Sequence, residues 1–137
     1  MDLYFVGHMH EYRRLVPAYG TQNLTDLDSI SGDSENSQIY TDPKYLTTIV
    51  TGAAGNQEVQ PSDCGGPTPH FVPQPTATCS RNYGWGTLEI SNSTHATWRW
   101  RTSMPIAGSP APDYTDTLEM IVSSHGPRPP PVSGRKL

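Results

Sequence analysis

From His95 to Arg101 the chain alternates without a slip. Ala96, Trp98 and Trp100 fall in one phase, and His95, Thr97, Arg99 and Arg101 fall in the other. Successive side chains of an extended strand point to opposite faces, so this period predicts a strand with one face in a core. Two indoles in the same phase are core more often than they are ligand platforms, and they require a second layer to cover them. Just upstream, Gly84–Ile90 sets Gly86, Leu88 and Ile90 on one face, and Ser91-Asn92-Ser93-Thr94 is a polar turn. Together these segments predict an antiparallel hairpin with one face buried.

Other strands follow from local pattern. Leu46-Thr47-Thr48-Ile49-Val50-Thr51 is rich in β-branched residues and bounded by Pro43 and Gly52, which marks a strand. Leu3-Tyr4-Phe5-Val6 is an unbroken apolar run, as expected of a strand buried on both faces. Leu118–Val122 reads as a last short strand. Residues 11–45 are polar and read as a long excursion with a short strand near Gln38–Tyr40. Asp26, Asp28, Asp33 and Glu35 there read as a solvated surface, without the spacing of a calcium-binding EF-hand loop. Residues 57–82 read as a second long loop and 103–115 as a third. Helix signals are nearly absent.

Composition agrees with a loop-rich β protein. Apolar residues make up 34% of the 137, against ~45–50% (glycine included) for ordinary globular domains, so burial is limited. The chain holds 12 Gly and 14 Pro, which favour turns and extended connections over helices. A net charge of −4 gives no electrostatic case for nucleic acid. No run approaches the ~18 apolar residues that cross a membrane, so no membrane association is expected. The expected organisation is one unit over residues 1–125 and a disordered Pro-rich tail over 126–137. A strand of interior character directly after Met1 predicts that upstream sequence is missing, or that an internal methionine was taken as the start.

Cys64 and Cys79 both fall in the second Pro/Gly/Ser/Thr-rich loop. An even count in a loop-rich chain is compatible with one disulfide, as it is with two thiols in a reducing cytosol. Asn23-Leu24-Thr25 and Asn92-Ser93-Thr94 are acceptor sequons for N-glycosylation. Together these features favour a secretory origin, with an extracellular or vacuolar destination.

The residues with most chemical potential are Gly7-His8-Met9-His10. Residues two apart on an extended segment point the same way, so the rings of His8 and His10 can converge on one locus. Gly7 lets that locus approach the backbone. Neutral imidazole is a common ligand of zinc, iron and manganese. An arbitrary H-x-H pair is more often two polar residues at a strand end, so the pair needs support from its surroundings. Arg13 and Arg14 could meet a phosphate, although surface ion pairs are the plainer reading. His70 between prolines and His95 on the polar face of its strand read as solvated, and the Gly52–Asn56 turn reads as close-packed rather than anion-binding. Tyr12 is expected to pack beneath the histidine loop.

Gly7-His8-Met9-His10-Glu11-Tyr12-Arg13-Arg14 resembles the last metal-binding block of the purple acid phosphatases, which typically reads G-H-x-H-x-Y-E-R. These enzymes belong to the calcineurin-like metallophosphoesterases. Tyr40-Thr41-Asp42-Pro43 before the Leu46–Thr51 strand, and Thr51-Gly52-Ala53-Ala54-Gly55-Asn56 after it, resemble the family's next segment. Asn82-Tyr83-Gly84-Trp85-Gly86-Thr87-Leu88 and Asn92-Ser93-Thr94-His95 resemble its closing hairpin. Several blocks in order, over residues 2–101, are far more specific than H-x-H alone. The resemblance implies a mainly β fragment, namely the C-terminal strands of a four-layer (β-α-α-β) α/β metallophosphoesterase sandwich. It also implies a dinuclear centre of Fe(III) and a divalent Zn, Mn or Fe ion, with His8 on the divalent ion and His10 on the ferric one. The reaction implied is hydrolysis of phosphate monoesters at acidic pH, with two metals ~3.5–4 Å apart holding the ester and activating hydroxide.

The departures bear on activity. The family's other ligands come from blocks N-terminal to this one, and none of D-x-G, G-D-x-x-Y, G-N-H or V-x-x-H stands ahead of His8. One imidazole per metal, without bridging carboxylates, binds weakly. The chain alone is therefore expected to be inactive, and no catalytic residue is assigned within it. Arg13 stands where the family has Glu, so the loop must be ordered otherwise, with Glu11 the candidate. The other reading of the whole chain is a non-catalytic secreted β-module, or a truncated gene product without phosphatase activity.

Overall fold

The computed structural model describes residues 3–7, 10–19, 24–52, 76–80, 82–103 and 116–123. Eleven strands run through them: β1 Leu3–Val6, β2 Tyr12–Leu15, β3 Ala18–Tyr19, β4 Leu24–Thr25, β5 Ile30–Ser34, β6 Ser37–Thr41, β7 Thr47–Thr51, β8 Thr76–Ser80, β9 Gly84–Ile90, β10 His95–Thr102 and β11 Asp116–Ile121. The helical content among the described residues is one 3-10 turn, Leu27–Ser29.

Two mixed sheets form the body. One has the order β1-β7-β2-β8 and the other β5-β6-β11-β10-β9, while β3 and β4 make a small ribbon. Parallel pairs β1/β7 and β11/β6 sit beside antiparallel neighbours. The sheets pack face to face. Tyr12 on β2 stacks on Trp100 of β10, with ring centroids 4.4 Å apart and planes 9° from parallel. Phe5 on β1 meets Trp98 of β10 at 5.0 Å. Tyr12, Tyr40, Ile49, Trp98, Trp100, Leu118 and Met120 form the buried cluster.

The hairpin follows its sequence pattern closely. β10 buries Ala96, Trp98, Trp100 and Thr102 and leaves the alternate residues half-buried. β11 repeats that phase with Asp116, Leu118 and Met120 inward. Asn92 organises the turn, its Oδ1 accepting from the Thr94 N–H at 2.8 Å, the Thr94 hydroxyl at 2.8 Å and the His95 N–H at 3.0 Å. His95 is half-buried, not fully solvated, with its Nδ1 2.7 Å from the Thr94 hydroxyl.

Four expectations need correction. Residues 11–45 are not one excursion: they contain β2, β3, β4 and β5 besides the anticipated β6. The periodicity of β2 was hidden because its buried positions are Tyr12 and Arg14, and an arginine does not read as apolar. Asp26 is buried, not solvated, and accepts the Lys44 backbone N–H at 2.8 Å with the Lys44 ammonium 3.5 Å away. Thr76–Ser80, taken as loop, is β8, paired to β2 with Cys79 opposite Arg13. β1 is an edge strand rather than an interior one, and Tyr4 is 55% exposed. Asn23, Cys64, His70 and the tail over 126–137 lie outside the described residues.

A candidate metal loop and the buried network beneath it

β1 and β2 lie on opposite sides of β7, so the chain must cross the end of β7 between them. β1 runs parallel to β7, with Val6 opposite Val50, and β2 returns antiparallel, with Tyr12 opposite Thr51. The crossing is Gly7 to Glu11, and it passes where β7 itself ends at Thr51-Gly52. Carboxyl ends of adjacent parallel strands are where open mixed sheets hold their ligands. The described flanks of the histidine loop, Gly7 and His10, therefore adjoin that end of the sheet.

Within the loop, Gly7 is exposed, and a Cβ built on it meets nothing within 4 Å. His10 is half-buried. His8 lies outside the described residues. Glu11 and Arg13 pair across the loop with Oε1 and Nε 2.9 Å apart, a charge contact whose N–H direction is off the line of a hydrogen bond. Glu11 is 1% exposed, so this pairing fixes the loop to the start of β2.

Below the loop lies the feature that sequence reasoning missed. Arg14 is fully buried and uses all five N–H donors of its guanidinium. Its Nε and Nη2 donate to the two carboxylate oxygens of Asp116 at 2.8 and 2.7 Å. Its Nη1 donates to Gln38 Oε1 at 2.8 Å and to the Tyr40 hydroxyl, and its Nη2 also donates to the Glu35 carbonyl at 2.9 Å. The Tyr12 hydroxyl donates to Asp116 and accepts from Trp98 Nε1 at 3.0 Å. The reading of Arg14 as a surface residue is wrong, and so is the thought that it meets phosphate, because no donor remains to offer. Its role is to bolt β2 of one sheet to β6 and β11 of the other. The signal was present in β11: Asp116 shares the phase of Leu118 and Met120, and a carboxylate in a buried phase needs a buried cation.

The electrostatics follow from that geometry. Burial, then the Asp116 carboxylate, pushes the Tyr12 phenol well above its ordinary value. Burial alone would lower Arg14, but the Asp116 hydrogen bonds and charge outweigh it and hold the guanidinium above its usual range. Burial raises Tyr40 as well, against the opposing pull of Arg14.

Do these residues fit a bimetallic centre? Among the described residues no three His, Cys, Asp or Glu side chains converge as ligands. The nearby carboxylates are engaged by Arg13 and Arg14. The described donor set does not amount to a dinuclear site.

Comparison with known proteins defines the lineage. A family model described as "Iron/zinc purple acid phosphatase-like protein C" matches residues 45–109. The acid phosphatase type 7 of Danio rerio is 28% identical over 130 residues, covering 93% of this chain and 25% of the relative. Purple acid phosphatase 19 of Arabidopsis thaliana is 33% identical over 104 residues, covering 73% of this chain and 23% of the relative. The chain belongs to the purple acid phosphatase family. It spans about a quarter of the length of these relatives. A purple acid phosphatase from yellow lupin seeds shares the fold at a TM-score of 0.56 and 17% identity, over 89% of this chain and 18% of that one. The nearly all-β architecture is thus that of one portion of the metallophosphoesterase fold, as the family resemblance implied.

Proposed function

We propose that this chain is the histidine-loop portion of a metal-dependent acid phosphatase. In this reading His8 and His10 each give one imidazole to a dinuclear centre, His8 to a divalent Zn, Mn or Fe ion and His10 to Fe(III). The remaining ligands come from the part of the domain outside this chain, and the substrate is a phosphate monoester. When bound, the metals would supply the activated hydroxide and the stabilisation of the leaving oxygen. This chain's own contribution is positional. Glu11 with Arg13 holds the loop, and the Arg14–Asp116 bolt holds β2, so the imidazoles are presented from a rigid sheet end. The observation that carries the reading is the placement of the loop at the carboxyl ends of β1 and β7 in a chain of purple acid phosphatase lineage.

The 137 residues alone are expected to take up iron weakly and to hydrolyse no phosphate monoester. Metal analysis after gel filtration, with a phosphomonoesterase assay at acidic pH, decides this. Stoichiometric iron with turnover by the isolated chain refutes the incompleteness, and activity that survives His8→Ala and His10→Ala in a reconstituted enzyme refutes the ligand roles. The competing reading, a non-catalytic secreted β-module, is supported by the Arg14 network, which joins the two sheets through side-chain hydrogen bonds alone.

The secretory part of the proposal comprises glycans on Asn23 and Asn92, a Cys64–Cys79 disulfide and a secreted or vacuolar destination. Cys79 is disulfide-bonded, and Asn92 is exposed at its turn. Expression through a secretory pathway, with mass spectrometry before and after deglycosylation and reduction, tests all three. An unmodified Asn92 or a free Cys79 thiol counts against them.

A further inference from the structure

β8 joins the histidine-loop sheet with little apolar packing. It lies at the sheet edge, with β2 as its strand partner among the described residues. Its sequence is Thr-Ala-Thr-Cys-Ser, and none of these side chains belongs to the buried cluster. The pairing to β2 is broken by a register shift between Arg14 and Leu15. An exposed hydrogen bond, from the Thr78 hydroxyl to Asn36 Oδ1 at 2.6 Å, reaches the turn between β5 and β6. A further anchor is covalent, because Cys79 is disulfide-bonded. The chain has two cysteines, and Cys64 is the partner proposed above. The sequence joining them is rich in proline and glycine, with little apolar surface of its own to bury.

Cys79 stands across the strand pair from Arg13. Directly opposed residues share a face, with Cβ atoms ~4.5–5.5 Å apart. Tyr12 and Arg14 of β2 point into the sandwich, so Arg13 and Cys79 lie together on its outer side, both half-buried. Arg13 in turn pairs with Glu11, Nε to Oε1 at 2.9 Å, next to His10. β8 therefore flanks the contact that fixes the histidine loop. With β8 gone, β2 becomes an edge strand and the Glu11–Arg13 pair faces water, where such a pair contributes little. Arg14, bolted inward to Asp116, keeps the rest of β2 on the sandwich. The opposed guanidinium also favours a Cys79 thiolate over the thiol, and a disulfide with a stabilised leaving thiolate is cleaved faster.

Resting on the histidine-loop reading above, we propose that the Cys79 disulfide is a redox latch on that loop. Closed, it holds β8 against β2 and shelters the Glu11–Arg13 pair. A dithiol reductant opens it. One reductant thiolate attacks the partner sulfur, the S–S bond breaks, and Cys79 leaves as the thiolate opposite Arg13. The second reductant thiolate attacks the mixed disulfide and closes the reductant's own disulfide. The protein bond takes up two electrons and two protons and becomes two thiols, and the reductant gives up the same. β8 then leaves the sheet edge in a local opening rather than a global unfolding, and the histidine loop slackens.

The test is amide hydrogen exchange of the 137-residue chain in chelator, with and without dithiothreitol, read by mass spectrometry. Alkylation and peptide mapping report the state of Cys79. Reduction is expected to speed exchange in Thr76–Ser80 and Glu11–Arg13 by about tenfold or more. It should leave β10 and β11 unchanged and reverse on reoxidation. Arg13→Gln should slow the reduction by about threefold or more, while Arg13→Lys, which keeps the charge, reduces at the native rate; tryptophan emission checks that both are folded. Exchange at Glu11–Arg13 that ignores reduction overturns the proposal. So does faster exchange spread evenly through β10 and β11, a bond that dithiothreitol cleaves only in denaturant, or reduction no slower in Arg13→Gln than in Arg13→Lys. Chelator keeps metal out of the exchange measurement, and zinc titration of the oxidised chain tests the ligand roles separately. No zinc uptake, with the exchange difference present, upholds the latch and sinks the metal reading.

Discussion

Asp116 and Arg14 illustrate how one buried pair can govern a small sandwich. Each ion is costly to take out of water, and the pair survives because both carboxylate oxygens and all five guanidinium donors are engaged. Asp116→Asn leaves a buried guanidinium short of its counter-charge and is expected to cost ~3–5 kcal/mol. Urea unfolding followed by tryptophan emission measures it. The double variant Arg14→Met/Asp116→Leu should lose less than the single one, because apolar side chains satisfy each other where a lone ion cannot. A double variant as unstable as Asp116→Asn would show that the pair does more than neutralise itself. Tyr12 adds a pH dependence. Its folded pKa lies above the ordinary 10.0, so its contribution is whole below that pH and declines as pH rises past it. Tryptophan emission and phenolate absorbance should therefore change together above pH 10, in one cooperative alkaline transition. Phenolate formation with the fold intact would contradict it. Thr47 is fully buried and its hydroxyl has no hydrogen-bond partner. Thr47→Val is accordingly expected to stabilise by ~1 kcal/mol in the same urea measurement.

Among the elements, legibility followed chemistry. β10 was readable because its inward residues are alanine and two tryptophans, and β7 because Thr-Thr-Ile-Val-Thr suits a pleated surface. β2 was not, because an Arg14 whose charge is cancelled by β11 occupies an apolar role that only the tertiary partner reveals. β1 read as interior from its four apolar residues, and its edge position depends on how many strands lie beyond it, which no local pattern states. The histidine loop was legible as a candidate from Gly7-His8-Met9-His10 and the family resemblance, whereas its place at the ends of β1 and β7 needed the strand order. The hairpin offers a check on packing. A Cβ on Gly84 would collide with the Trp100 ring and the Arg101 carbonyl, and the carbonyl belongs to a paired strand that cannot give way. Gly84→Ala should destabilise by ~1–3 kcal/mol through overpacking, read as a lower midpoint in thermal melts. An unchanged midpoint would mean that β9 can slide away from β10.

For the whole molecule the question is whether metal holds the fold or the fold holds metal. Small metal-dependent domains unfold when the ion is removed, because ligand groups are their core. Here the elements that join the sheets are the Tyr12–Trp100 stack, the Phe5–Trp98 contact and the Arg14 bolt, and none of these residues is a histidine or free carboxylate. Of the candidate ligands, the described one, His10, precedes β2 and is not a member of that core. Chelation with an iron- and zinc-binding agent is therefore expected to leave the thermal midpoint of the 137-residue chain unchanged. Cutting the Arg14–Asp116 pair should lower it by many degrees, since ~1 kcal/mol moves a domain of this size by ~2–8 °C. Scanning calorimetry of the same preparation with and without chelator makes the comparison. A large drop on chelation would place metal inside the folding core, and the sheet junction described here would then be a consequence of metal binding rather than the platform for it.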